Sequence, residues 1–468
     1  MGFWELKQPG CQPAAIDARS GQVWTYERLA QDVARAQGAL PQVGRKPLGL
    51  LLAENRYECL VTYLAALNSG SPLLLLDATL NPGLLAGLVE NYRPDWIYSL
   101  RAGSGFPGYQ PSSVGGLFER KETDQTEIHP DLAVLLNTSG STGSPKLVRL
   151  SLSNLASNAD SITRYLGLSP QDRPITSLPM AYSYGLSVIN SHLHAGACLV
   201  FTEHGVLRRE FWDSVDQHGC TSLAGVPYTY QMLLKSGLLS KKGASLKSLT
   251  QAGGKLNEPE IQQVYQLALA RGWKFFVMYG QTEATARISY VPFERLGHKI
   301  GSVGVPVPGG SLAIDPETAE LVYSGANVML GYAQSREDLA KGDELRGELR
   351  TGDLARKDDD GYFYIVGRLK RFLKMFGKRF NLDDVERILS QQFGRMVACY
   401  GRDDFLVVAM EDCPDPGAVS LFVCETFDLP RTAVRVAPVP ELPRTASGKI
   451  DHSRLANTDG QPVLAAAN

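Results

Sequence analysis

The sequence predicts an α/β fold in which parallel strands are joined by crossover helices. Helix-like and strand-like segments alternate through the first third of the chain, which is the pattern of βαβ units. The chain has 468 residues, of which 44% are hydrophobic and 21% are charged, as in a well-packed soluble protein. That length predicts two or three domains rather than one.

Residues 26–40 begin the alternation, because Leu29, Val33, Ala36 and Leu40 follow helical spacing and predict an amphipathic helix. Apolar runs too short for helices predict buried strands. The elements predicted next are a strand at 48–53, a helix at 57–68 and strands at 72–76, 221–226 and 274–278. From about Gly309, Gly and Pro turns separate short strands, which predicts a small β subdomain with strands at 311–314, 320–324 and 362–366.

The domain organisation predicted from these patterns is a large N-terminal domain over residues 1–367 and a small α+β domain over 368–455. The boundary is placed at 367 because residues 368–374 are dense in charge. Beyond them Asn381 can cap a helix with an apolar face. Small and polar residues fill 456–468, which predicts a loose tail.

Charge and cysteine content exclude several classes of protein. The formal net charge is −2, so we expect no general attraction to nucleic acid or to anionic lipid. No apolar run is long enough for a membrane span, and no targeting segment is apparent at the amino terminus. The seven cysteines are scattered, which favours reduced thiols and a cytoplasmic location over a disulfide framework or a zinc site.

Residues 138–146, Thr-Ser-Gly-Ser-Thr-Gly-Ser-Pro-Lys, have the composition of a phosphate-binding loop. Glycine lets the backbone present its N–H groups, and hydroxyl side chains add donors. The pattern is not a Walker A loop, because Pro145 stands where that pattern requires glycine and Leu147 follows the lysine. Taken alone, a surface turn rich in Ser and Gly explains the segment equally well.

Four further segments carry polar groups suited to a ligand site. They are Tyr279-Gly280-Gln281-Thr282-Glu283, Arg350-Thr351-Gly352-Asp353 on an expected tight turn, Gly367-Arg368, and the Pro-Arg-Thr-Ala-Ser-Gly-Lys run that ends at Lys449. The first segment directly follows the strand at 274–278. Ligands of parallel sheets bind beyond the carboxyl ends of the strands, so this position is informative.

In this order the five segments resemble the adenylate-forming superfamily, which includes acyl- and aryl-CoA synthetases, peptide-synthetase adenylation domains and luciferase-like enzymes. The resemblance extends from about Trp24 to Ile450. It implies a large N-terminal domain of α/β subdomains plus a small β subdomain, followed by a small mobile α+β C-terminal domain. It also implies that the small domain pivots at Lys370, which brings residues 374–379 toward the site for a second step.

The resemblance assigns roles to individual positions. It implies that the phosphate loop (Thr138, Ser139, Gly140, Ser141, Thr142, Gly143 and Lys146) holds the β- and γ-phosphates of ATP. The adenine contacts it implies are Tyr279 and Gly280, with Gly253, Gly254 and Lys255 lining the adenine and acyl sites. It further implies that Thr282 contacts the α-phosphate, that Glu283 binds Mg²⁺ and that Asp353 binds the ribose. Arg368 is expected to contact the nucleotide, and Lys449 to lie between the carboxylate and the α-phosphate.

The chemistry explains these residue types independently. A carboxylate becomes a good acyl donor only as a mixed anhydride with AMP, and its attack on the α-phosphorus brings two anions together. The barrier is therefore mainly electrostatic and positional. A lysine at the shared oxygens, a carboxylate-bound metal across the phosphates and donors around the leaving pyrophosphate meet that need.

The function expected from this resemblance is that of an acid–thiol ligase. It activates a carboxylic acid as an acyl-adenylate with release of pyrophosphate and transfers the acyl group to a thiol. Free CoA is the first choice of acceptor, and the phosphopantetheine of an acyl carrier protein is the second. The partners expected are therefore a small acid and, with the second acceptor, an acyl carrier protein. The chain is expected to act as a monomer or a homodimer.

The acid pocket is predicted around Pro179 to Leu186, where no Asp is present to pair an α-ammonium group. An ordinary amino acid is therefore disfavoured. Apolar residues and hydroxyl donors suit an aromatic or medium-chain acid. The residues expected to line the pocket are Tyr182, Tyr184, Val226, Tyr228 and Met278. A second anionic group could bind Lys255 and Arg287, although outward-facing salt bridges are the commoner fate of such residues.

Two alternatives remain open at this stage. An adenylating enzyme could use an amine acceptor or activate an unusual small acid. A nucleotide-binding homologue without catalysis would carry a decayed site, and its expected signature is the loss of Glu283, Asp353 or Lys449. All three residues are present.

Overall fold

The computed structural model describes residues 2–41, 44–101, 103, 105–122, 124–137, 146–369, 371–375, 378–402, 404–427, 429–445, 448–452 and 454–455. The chain divides into two compact units. The first unit comprises 1–312 and 323–349, and the second comprises 313–322 and 350–468. The domain boundary at 367 stays a prediction, because compactness alone does not define a segment that moves as one body.

Up to residue 306 strands and helices are interspersed, and five strands follow one another between 96 and 151. The strands are β1 Pro13–Asp17, β2 Val23–Thr25, β3 Gly49–Ala53, β4 Leu73–Asp77, β5 Trp96–Ser99, β6 Tyr109–Pro111, β7 Leu117–Arg120, β8 Leu132–Asn137, β9 Leu147–Ser151, β10 Leu199–Phe201, β11 Ser222–Gly225, β12 Ser248–Gln251, β13 Lys274–Tyr279, β14 Ser289–Tyr290 and β15 Val305–Pro306. The helices are α1 Tyr26–Ala39, α2 Tyr57–Ser69, α3 Pro82–Tyr92, α4 Leu152–Leu166, α5 Ser183–His194, α6 Arg209–Gln217, α7 Pro227–Ser236, α8 Leu238–Lys241, α9 Glu258–Arg271 and α10 Phe293–Leu296.

Later in the chain short strands predominate. The strands are β16 Gly310–Ile314, β17 Glu320–Gly325, β18 Gly331–Ala333, β19 Glu348–Lys357, β20 Phe363–Arg368, β21 Phe372–Met375, β22 Lys378–Asn381, β23 Val397–Arg402, β24 Phe405–Glu411 and β25 Val434–Val439, and the helices are α11 Leu382–Phe393 and α12 Pro416–Phe427. The chain passes between the two units within β16, β17 and β19.

The first unit contains two larger sheets with parallel centres. One has the order β18-β9-β8-β4-β3-β5-β7-β6, and β8, β4, β3 and β5 are parallel neighbours. The other has the order β11-β12-β13-β14-β15, and its first three strands are parallel. A smaller sheet joins β10, β1 and β2. The α/β prediction is confirmed, and antiparallel strands complete the edges of both larger sheets.

Local sequence explains the elements around the site. β3 and β4 are apolar runs buried on both faces, as expected for the interior of a parallel sheet covered by helices. The Ser151 hydroxyl accepts a hydrogen bond from the Asn154 N–H, and the Asn154 side chain accepts one from the Ser151 N–H. This capping box starts α4 directly after β9.

The second unit contains the antiparallel pair β19–β20, the hairpin β21–β22 and a sheet of β23, β24 and β25. Apolar residues of α11, α12 and the three-stranded sheet form its core. The helix predicted after Asn381 is α11. In the part of the chain that the structure describes, no helix is both long enough and apolar enough to span a membrane.

Candidate active site

The predicted phosphate loop connects two paired strands of the largest sheet. Residues Thr138 to Gly143 lie outside the described residues, but their flanks are defined. β8 ends at Asn137 and β9 begins at Leu147, and these two residues are partners in an antiparallel ladder. Leu147 is completely buried in the core. The residue that directly follows the lysine of the predicted loop is therefore a core position of β9.

Lys146 lies at the base of this loop beside Tyr332. Its Nζ is 5.4 Å from the centroid of the Tyr332 ring, within the range of a cation–π contact. Tyr332 belongs to β18, which pairs with β9 so that Tyr332 is opposite Val148. Sheet pairing thus places an aromatic ring next to the end of the loop.

Tyr332 also contacts the predicted metal ligand. Its hydroxyl donates a hydrogen bond of 2.9 Å to Oε1 of Glu283. Burial, and then the charge of Glu283, raise the pKa of Tyr332, so the hydroxyl stays protonated as a donor. Oε2 of Glu283 makes no hydrogen bond to any residue that the structure describes. Sequence reasoning missed Tyr332, because no local pattern relates it to Glu283.

The segment 280–288 forms a tight connection between β13 and β14. A Cβ at position 280 would lie 1.8 Å from the carbonyl oxygen of Ala286, so only glycine fits there. Thr285 and Ala286 have φ values of 55° and 109°, which non-glycine residues rarely adopt. Such backbone strain persists only where the surroundings over-determine the conformation, and it clusters at functional sites.

Asn327 supplies that constraint. Its side-chain amide donates to the carbonyl oxygens of Ala284, at 2.7 Å, and Arg287, at 2.8 Å. The Thr285 hydroxyl donates to the Asn327 carbonyl at 2.6 Å. On the other side of the turn, the hydroxyls of Thr282 and Ser183 share a hydrogen bond of 3.1 Å. The turn that carries Thr282 and Glu283 is therefore held from α5 and from residue 327.

A single carboxylate suits the magnesium role. Among the residues that the structure describes, no group of three or more His, Cys, Asp or Glu side chains could hold a metal ion. Mg²⁺ in phosphate-transferring sites uses one or two carboxylates together with substrate phosphates and water. Glu283, which is half-buried and has one oxygen positioned by Tyr332, fits that arrangement.

The residues predicted for the acid pocket lie together. Tyr184, Val226 and Met278 belong to one buried cluster, and Tyr182 and Tyr228 pack against it. The structure therefore brings together all five side chains named from the sequence. The Tyr184 hydroxyl donates to the backbone carbonyl of Thr250 on β12 at 2.8 Å.

Gly253 follows β12 and makes room for one of these tyrosines. Its φ is 84°, and a Cβ there would lie 2.5 Å from the Tyr182 hydroxyl oxygen. The buried Gln251 side chain donates to the Gly254 carbonyl at 2.9 Å, which fixes the turn. Lys255 is exposed, whereas Arg287 is almost completely buried. Of the two basic residues considered for a second anion, only Arg287 therefore lies in the interior.

Asp353 and Arg368 are cross-strand partners in the second unit. Arg368 Nε lies 3.1 Å from Asp353 Oδ1, and the two residues are opposite each other in β19–β20. The expected tight turn at 350–353 was wrong, since these residues lie within β19. The strand continues because Thr351 donates to the Leu321 carbonyl and the Gly352 N–H to the Glu320 carboxylate.

Lys449 lies in a small loop of the second unit. The Thr445 N–H donates to the Lys449 carbonyl at 2.8 Å, and the Gly448 N–H donates to the Thr445 carbonyl at 2.8 Å. Gly448 has a φ of 78°, a conformation that glycine adopts without cost. Lys370 lies outside the described residues. The segment predicted to approach the site is 374–379. The hairpin β21–β22, formed by residues 372–375 and 378–381, includes part of it.

The comparisons with known proteins agree with the fold. Residues 3–333 match the model of the family described as AMP-binding enzyme. The chain belongs to this family, and the resemblance found in the sequence is confirmed. A sulfoacetate–CoA ligase from Cupriavidus necator is 30% identical over 345 residues, which cover 69% of this chain and 67% of that protein.

A further relative and a solved structure extend the similarity. The non-ribosomal peptide synthetase CmlP from Streptomyces venezuelae is 28% identical over 95% of this chain, which spans 48% of that protein. The structure of O-succinylbenzoate coenzyme A synthetase from Bacillus subtilis, in complex with ATP and magnesium ion, superposes with a TM-score of 0.75. It shares 22% identity and covers 98% of this chain and 100% of that chain, so it supports the fold alone.

Proposed function

We propose that this chain is an ATP-dependent acid–thiol ligase that forms an acyl-adenylate and then a thioester. The observation that carries the proposal is the strained turn after β13. It presents Thr282 and Glu283 beyond the carboxyl end of a parallel strand, and Tyr332 connects Glu283 to the lysine of the phosphate loop. The family membership and the CoA-ligase relatives support the same reaction.

In the first step a carboxylate oxygen of the acid attacks the α-phosphorus of ATP. The bond from that phosphorus to the bridging oxygen of the leaving group breaks, and pyrophosphate departs with both electrons. Lys146 and the preceding loop hold the β- and γ-phosphates, Thr282 holds the α-phosphate, and Glu283 holds Mg²⁺. When bound there, the ion would neutralise negative charge on the phosphates. Lys449 stabilises the oxygens on which charge develops.

In the second step a thiolate attacks the acyl carbon and AMP leaves. Free CoA is the acceptor that we place first, because the sulfoacetate relative is named a CoA ligase. The peptide-synthetase relative makes carrier-bound phosphopantetheine the second candidate. Asp353 holds the ribose and Arg368 approaches the nucleotide, and their cross-strand ion pair orients both side chains.

ATP–pyrophosphate exchange across a panel of acids tests the first step. We expect acid-dependent exchange, which Glu283→Gln lowers about 100- to 1,000-fold, the usual effect of removing one preorganised electrostatic group. Glu294→Gln, at an exposed carboxylate of α10, is the matched control and should leave exchange unchanged. ATP binding without exchange for any acid would favour a non-catalytic nucleotide-binding protein instead.

Separate half-reactions test the role of Lys449. We expect Lys449→Ala to abolish pyrophosphate release and to spare thioester formation from supplied acyl-adenylate, because the lysine serves only the first step. Lys357→Ala, at an exposed lysine of the same unit, is the control. Equal loss of both half-reactions would contradict an alternation of the small domain between two poses.

A further inference from the structure

Arg287 is a buried cation four residues beyond Glu283. Only 1% of its surface is exposed. Its backbone is fixed, because the carbonyl accepts hydrogen bonds from Asn327 at 2.8 Å and from Asn158 at 3.4 Å. A guanidinium stays protonated at any physiological pH. This position therefore carries a permanent positive charge inside the first unit.

No carboxylate in the described part of the chain neutralises that charge. Among the residues that the structure describes, no Asp or Glu side chain forms an ion pair with Arg287, and its Nε has no hydrogen-bond partner. The guanidinium carbon lies 4.0 Å from the centroid of the Tyr184 ring. A cation–π contact of this kind stabilises a desolvated cation, but by less than the burial of an ion costs.

The tyrosine hydroxyls on which the charge of Arg287 acts belong to residues of the pocket cluster or packed against it, and they are neutral. Burial raises the pKa of Tyr165, Tyr182 and Tyr184, and the charge of Arg287 opposes the shift at all three. The guanidinium therefore acts electrostatically on three tyrosines, none of which is ionised near neutral pH. Tyr182 and Tyr184 line the proposed acid pocket, and Tyr165 packs against the same cluster.

We propose that Arg287 binds a second anionic group of the acid, so that the substrate is a carboxylic acid bearing a further carboxylate or sulfonate. This inference rests on the proposed function. The second group fits better than the reacting carboxylate, because a carboxylate paired with a buried guanidinium is a poor nucleophile. Arg287 also lies over the ring of Tyr184, whose hydroxyl is hydrogen-bonded to Thr250 on β12. Thr282, the residue expected to hold the α-phosphate that the reacting carboxylate attacks, lies instead on the turn beyond β13.

Matched acids that differ only in the second charge test the proposal. Succinate is compared with succinamate, and 4-sulfobenzoate with 4-sulfamoylbenzoate. Binding is measured by titration calorimetry without ATP, and activation by ATP–pyrophosphate exchange. We expect at least one dianion to exceed its neutral isostere by about 10- to 100-fold, since a hydrogen-bonded charge contributes roughly 1.5–3 kcal/mol. Arg287→Met should remove that preference, and Arg287→Lys should retain part of it.

Arg271→Met is the matched control, because Arg271 also stacks on an aromatic ring, that of Trp273 at 4.5 Å, at the end of α9. It should leave the preference unchanged. Arg287-dependent binding of a dianion without exchange would support the anion site while contradicting the ligase function. Exchange with a dianionic acid that Arg287→Met does not alter would overturn the anion site and leave the ligase function intact. No preference for any dianion in either assay would also overturn it.

Discussion

Two buried arginines of the first unit differ in what surrounds them. Arg336 has no exposed surface, and two carboxylates lie beside it, Asp95 at 3.3 Å and Asp124 at 3.1 Å. Arg336 and Asp124 form an ion pair, but Nε of Arg336 is not oriented to donate a hydrogen bond to that carboxylate. Arg287 is almost as deeply buried, yet no carboxylate among the described residues pairs with it, and its guanidinium lies over the ring of Tyr184.

The difference separates a structural charge from a functional one. Asp95 also pairs with Arg45 at 2.6 Å and accepts the Leu48 N–H at 2.8 Å, so the cluster around Arg336 joins several segments of the first unit. Its charges are satisfied by the chain itself. At Arg287 no described carboxylate plays this part, and a ligand anion takes its place. An unpaired buried charge costs stability, so it persists only where function requires it.

Removal of Asp95 should have the largest effect. Asp95→Asn leaves Arg336 and Arg45 without their shared carboxylate, and we expect a loss of about 3–5 kcal/mol of unfolding free energy. All five tryptophans lie in the first unit, so tryptophan fluorescence during urea unfolding reports on it. Glu337→Gln, at a side chain 63% exposed and paired with Arg93, is the control and should cost at most about 1 kcal/mol. Similar losses in both variants would remove the basis of the comparison.

His192 extends the comparison to a buried base that can lose its charge. Burial lowers its pKa to about 4 from an ordinary value of 6.5. Between those pH values the unfolded chain binds a proton that the folded chain does not, so stability falls as pH falls from about 6.5 to 4, by roughly 3 kcal/mol. Unfolding measured across this range should depend less on pH in His192→Gln than in the wild type. His194→Gln, two residues further on, should keep the wild-type dependence, and identical pH profiles for all three proteins would contradict the assignment.

Substitution of Arg287 should have the smallest effect on stability. Arg287→Met removes an unpaired charge from the interior, so we expect the unfolding free energy to stay within about 1 kcal/mol of the wild type or to rise. The same variant loses the discrimination between dianionic acids and their amides. A loss of stability as large as that of Asp95→Asn would show that Arg287 is a structural residue like Arg336.

The elements and motifs were predictable because their signals are local. The spacing of Leu29, Val33 and Ala36 predicts α1, and the apolar runs predict β3 and β4, since periodicity and burial act over a few residues. The order of the five motifs likewise identified the family. By contrast, the tight turn expected at 350–353 is part of β19, because residues 320 and 321 supply partners from a distant segment.

By itself the sequence determined the fold class, the family and the identity of the polar groups at the strand ends. Only the tertiary structure placed Tyr332 against Glu283, Leu147 in the core and Arg287 among neutral tyrosines. Pattern and propensity depend on neighbours along the chain, whereas the environment of a charge depends on groups brought close by packing. The sequence alone does not show whether a carboxylate lies beside a given arginine in the fold. The presence of such carboxylates at Arg336 distinguishes it from Arg287.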